Sequence, residues 1–191
     1  LSYNEITNVT SNRSLQVFTR NAEFYNQANP ITPASSSWQQ QSVYGNKRIA
    51  IVQIDGSSYY IDKNGKDLRS FLFSFDEDGY ASAAVSLLAD DITNDVADVA
   101  SITGTEASVS NYIYVVNGDG TIAALNVMRA EGINGWTRII TDGTAKRVET
   151  INEVMSFIVQ RATGKYFIQK MDHPYTMDPS TNALCPLSTA K

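Results

Sequence analysis

The sequence has little of what most site chemistry needs. One cysteine, Cys185, among 191 residues rules out an internal disulfide, and with the one histidine, His173, it removes thiolate and imidazole zinc clusters. A Ser-His-Asp triad would depend on His173 alone, which sits in an Asp172-His173-Pro174 turn near the end, so that chemistry is not expected. No run approaches the ~18 consecutive apolar residues that a bilayer-spanning helix needs. The N-terminus also lacks the basic, apolar, small-residue succession of a signal peptide, so no membrane segment is expected. Charged residues are sparse at 18%, and their balance of −5 argues against a dedicated nucleic-acid binder, because such binding rests on Lys and Arg neutralising phosphates. Any contact with DNA is expected to be loose. The chain begins at Leu1 rather than Met, as a fragment of a longer chain or a processed product would.

What is present suits a folded all-β protein. A hydrophobic fraction of 42% and an aromatic fraction of 10% describe a chain able to bury a core. One domain is expected over residues 1–172, with Pro174, Pro179 and Pro186 marking residues 173–191 as an extended C-terminal tail. The stretch from Asn111 to Asp142 holds three apolar segments, 112–116, 121–128 and 136–140. They are cut by Asn117-Gly118-Asp119-Gly120 and by Gly132 to Gly135, and closed by Asp142-Gly143. Glycine, Asn and Asp take the positive-φ conformations of tight turns, and β-branched and aromatic residues suit a pleated, half-buried surface. The reading is therefore a three-stranded antiparallel meander.

Similar punctuation recurs along the chain. Residues 1–14 are polar, and the sequons at Asn8 and Asn12 are read as chance in a surface loop. LQVFT and AEFYNQ form a hairpin ended by Pro30 and Pro33, and Ser35 to Ser42 reads as an edge strand or a crossing loop. RIAIVQI, SSYYID and LRSFLFSF, separated by Asp55-Gly56 and Asn64-Gly65, make a second meander. In it the period of two puts Phe71, Phe73 and Phe75 on one core or contact face. Ala81, Ala84, Val85, Leu88, Ala89 and Ile92 are spaced as one face of a short helix near 81–92. VADVASI is a further strand, and AKRVETI, VMSFIVQR and KYFIQKMD make a last group. Successive modules of three or four strands, spaced by about 45 to 60 residues, predict β-propeller-like blades, as a whole propeller or part of one; the same strands also suit a sandwich.

Chemical constellations are not found. Ser74 to Tyr80 approaches the Asp-box turn of sugar-cleaving propellers, but its glycine is one place late and its tryptophan is missing. Neither Asp76-Glu77-Asp78 nor Asn117-Gly118-Asp119-Gly120 continues with the ligand spacing of an EF-hand. No phosphate loop of the G-x-G-x-x-G or Walker type is present, and no catalytic residue, metal site or cofactor is expected.

Taken jointly, the turn motifs resemble a known family. Asn117-Gly118-Asp119-Gly120-Thr121 through Leu125, then Arg129, Gly135-Trp136-Thr137-Arg138 and Thr141-Asp142-Gly143, is similar to the D-G-T-x-x-x-L, R, G-W-x-R, T-D-G series of a tail protein family of short-tailed phages and prophages. Leu15 to Glu23 resembles that family's strand ending F-T-x-x-A-E. Phe73 to Ile92 resembles its D-G-Y segment, with Phe75, Asp78, Gly79, Tyr80, Leu87, Leu88 and Ala89 at matching places, and the Pro30 to Pro33 loop also fits. The likeness covers about residues 15–172 in the same order. It implies a non-enzymatic virion component, similar to tail nozzle or packaged-DNA-stabilising proteins. Its propeller blades would sit in a homo-oligomeric hub among other tail subunits, in the virion tail after assembly in the host cytoplasm. A carbohydrate-binding or glycoside-cleaving propeller, with Trp38 and Trp136 stacked on sugars, is the alternative.

Overall fold

The computed structural model describes residues 4–104, 111–152 and 154–171. The 173–191 tail, with His173 and Cys185, lies outside the described residues. Four antiparallel sheets hold the strands, each sheet built from consecutive strands in chain order. The first contains β1 (Ile6–Ser11), β2 (Leu15–Thr19), β3 (Glu23–Asn26) and β4 (Trp38–Ser42). The second contains β5 (Val52–Ile54), β6 (Ser57–Ile61), β7 (Leu68–Ser74) and β8 (Gly79–Ala84). The third contains β9 (Asp98–Ile102), β10 (Asn111–Val116), β11 (Ile122–Met128) and β12 (Ile133–Ile139), and the fourth has β13 (Thr144–Ile151), β14 (Val154–Gln160) and β15 (Tyr166–Lys170). The all-β fold of blade-like meanders expected from the turn spacing is what the chain forms.

Where one domain was expected, the chain packs as two compact units, Leu1–Val96 and Ala97–Lys191. In the first, Phe18 of β2, Tyr25 of β3, Tyr60 of β6, Phe71 of β7 and Tyr80 of β8 form one buried cluster. Phe18 and Tyr60 meet at 5.0 Å between ring centroids and Phe71 stacks on Tyr80 at 4.8 Å, so aromatic contacts join the two sheets. A buried hydrogen bond of 2.7 Å from the Ser58 hydroxyl to Gln16 Oε1 satisfies polar groups inside the same seam. In the second unit, Tyr114, Val116, Ile122 and Ala124 pack against Ala145, Val148, Phe157 and Val159.

Turn chemistry follows backbone sterics. Asp55 and Gly56 both have positive φ, 48° and 75°, as a two-residue hairpin of the I′ kind requires, and Ile54 pairs with Ser57 across it.

Several expectations are corrected. Residues 81–92 do not form a helix: 79–84 are β8, and only the single 3-10 turn Leu87–Ala89 follows. The alanines fit a helical period, but they are equally small enough for a ladder. Pairing with β7, Phe73 to Tyr80 and Phe71 to Ser82, together with burial of Tyr80, decides for strand. The polar N-terminal segment contains β1, whose partner β2 supplies the burial that its own sequence lacks. The turn expected at Gly132 to Gly135 ends at Gly132, and Gly135 lies inside β12 opposite Asn126. Phe71 is buried and Phe73 half-buried, but Phe75 is 77% exposed because β7 ends at Ser74 and residues 75–78 turn.

Candidate functional site

The residues that carry the family likeness serve turns and packing. In the loop joining β10 to β11, the Asn117 amide donates to the Thr121 carbonyl and the Gly120 amide to the Asn117 carbonyl, each at 2.9 Å. Asp119 Oδ1 accepts from both the Thr121 amide, at 2.9 Å, and the Thr121 hydroxyl, at 2.7 Å. These two donors, with Arg138 as a further positive charge, hold the Asp119 carboxyl below the usual carboxylate range. Gly120 has φ +86° and lies so close to Thr144 that a Cβ would overlap its side chain, while its carbonyl accepts the Ala145 amide at 3.0 Å. The loop therefore fastens the third sheet to β13 of the fourth.

Further along the motif, Leu125 is fully buried and pairs across the ladder with Trp136, which is half-buried. Arg138 is exposed on β12, and Arg129 is exposed in the one-turn 3-10 helix Arg129–Glu131. Thr141-Asp142-Gly143 forms the passage from the third sheet to the fourth. The Thr141 hydroxyl lies 3.2 Å from Gln169 Oε1, and Asp142 Oδ2 lies 3.2 Å from Arg161 Nη1. Gly143, at φ +131°, packs so that a Cβ would sit 2.6 Å from the Gln160 carbonyl oxygen. Asp142, Arg161, Thr163, Phe167, Ile168 and Gln169 line an open groove of about 500 Å³.

Asp78, Gly79 and Tyr80 belong to the first unit. Asp78 takes φ 45° at the β7–β8 turn, and the Tyr80 amide donates to Gln41 Oε1 at 2.6 Å, which ties β8 to β4. Gly79 leaves the room in which that glutamine sits. The structure thus brings Asp119 near Arg138, and Thr141 and Asp142 near Gln169 and Arg161, without assembling any pair of groups suited to proton transfer on a substrate.

One polar cluster was not foreseen. Glu23, fully buried on β3, accepts a hydrogen bond from the Ser42 hydroxyl. Burial pushes its carboxyl above the usual range, opposed by Ser42 and by the amides of Tyr44 and Gly45. Beside it the Tyr60 hydroxyl shares a 2.8 Å hydrogen bond with Ser82, and burial followed by the Glu23 charge raises the phenol. Arg69, also buried, donates to Ser82 at 3.1 Å and lies 3.3 Å from the Tyr44 ring centroid. The available signal was a glutamate and an arginine set inside apolar strands, in AEFYN and LRSFLF.

Among the described residues no group of three or more His, Cys, Asp or Glu side chains is placed to hold a metal ion, and no helix is long and apolar enough to cross a membrane. No family model and no curated protein matches the chain.

Proposed function

We propose that the chain is a non-enzymatic structural component of a phage or prophage tail, a nozzle- or hub-like part that works by subunit assembly around the DNA conduit. The observation that carries this reading is the use made of the motif residues. Asp119, Gly120, Leu125, Gly143, Gly79 and Tyr80 are spent on turns and on packing between sheets. Residues kept for shape suit a part whose work is assembly. Its partners would be other tail subunits and copies of itself, and its net charge of −5 suits a surface past which DNA slides. Electron microscopy of the full-length protein tests this: ring-shaped particles are expected, and a strictly monomeric protein would contradict it.

A carbohydrate-binding propeller stands second, on the observation that Trp38 is 48% exposed on edge strand β4, as a sugar-stacking ring would be. Glycan-array binding lost in a folded Trp38→Ala protein would favour it. Trp136→Ala is expected instead to lower stability, since Trp136 is half-buried opposite Leu125.

A further inference from the structure

Three of the sheets have four strands, but β13-β14-β15 has three. β15 pairs with β14 and with no second strand among the described residues, so its outer edge presents backbone N–H and C=O groups. Its side chains are unusual for an edge: Tyr166, Phe167 and Ile168 are consecutive, apolar and 62%, 47% and 64% exposed. Consecutive residues point to opposite faces, so both faces of this strand are apolar and open. The groove described above runs along the same strand. In it Arg161 Nη1 is shielded from solvent and donates no hydrogen bond to a described residue, with the Asp142 carboxylate as its ion-pair contact.

Charge separates the occupants that such an edge might take. Lys165 and Lys170 bracket the apolar residues and are exposed. If two copies of β15 paired antiparallel, centred between Phe167 and Ile168, Lys165 would face Lys170 at both ends. Like charges directly opposite are unfavourable, and edge lysines are a common guard against self-pairing. A strand with acidic ends meets the same lysines favourably and brings a carboxylate within reach of Arg161.

We propose that β15 is a strand-addition site for an extended segment of a different polypeptide, apolar in its middle and acidic at its flanks. Main-chain hydrogen bonds to the β15 edge supply the attachment, and the groove and the lysines select the sequence. The inference does not rest on the tail assignment.

The test uses the full chain and synthetic peptides of alternating valine and threonine, flanked by aspartates in one and by lysines in the other. Fluorescence anisotropy should show the aspartate-flanked peptide bound at least about tenfold more tightly. Hydrogen exchange should show it slowing the outward-facing amides of β15. Because both lysines are exposed, the Lys165→Glu, Lys170→Glu double variant should fold normally and reverse the preference. Three results would overturn the proposal: a preference unchanged by the reversal, outward β15 amides already protected without peptide, or a dimer of the chain that Ile168→Lys dissolves.

Discussion

Gly120 has two independent reasons to be glycine, a φ of +86° and the Thr144 side chain where a Cβ would go. Gly120→Ala is therefore expected to lower stability by about 1 to 3 kcal/mol, read from urea unfolding midpoints. Gly135→Ala, in a strand with nothing within 4 Å of the added carbon, should stay within about 0.5 kcal/mol of the parent. The first position was legible from the Asn117-Gly118-Asp119-Gly120 run. The second was misread as a turn because glycine alone does not distinguish a turn from a strand. Glu23 was not legible at all, since its burial depends on strands far away in sequence. Its carboxyl is raised in the folded chain, so the folded state holds the proton more tightly than the unfolded one. The associated stability is complete below the ordinary glutamate value, 4.5, and is lost as pH rises through the raised folded value. Glu23→Gln should accordingly gain stability over the parent at pH 7 and lose that advantage at pH 4, measured as the difference between their urea midpoints.

At the scale of elements, β7 shows both the reach and the limit of period-two reading. Leu68 and Phe71 are fully buried, and Phe71 touches the rings of Phe18, Tyr60 and Tyr80. Phe71→Ala should cost about 3 to 5 kcal/mol. Phe75→Ala, at a position the alternation puts on the same face, should cost less than about 0.5 kcal/mol because the strand has already ended. Urea unfolding of the two variants side by side checks the contrast. β10 and β11 were legible because long apolar segments met a turn with one backbone solution. β8 was not, because a run of alanine and serine carries no period of its own, and its partner β7 decides the outcome. β1 was hidden for a related reason: Ile6–Ser11 is mostly polar, and its strand character comes from the ladder with β2.

For the whole molecule, the modular order was legible, since consecutive strands separated by Asp-Gly and Asn-Gly turns can only pair locally at low entropic cost. The division into units Leu1–Val96 and Ala97–Lys191 was not, because it depends on which sheets share a core, which strand spacing does not encode. The same limit applies to function. Turns that make tight hairpins are common, and it is their joint spacing, together with the absence of an assembled reactive group among the described residues, that favours assembly over catalysis. The strand-addition edge at β15 fits a protein that works through neighbours, although it is tested separately. The most direct measurement of the central claim is mass spectrometry, with antibody labelling, of purified virions from the phage or prophage that encodes the chain. The account predicts the protein in stoichiometric amounts with the label on the tail; its absence from the particles would contradict the account.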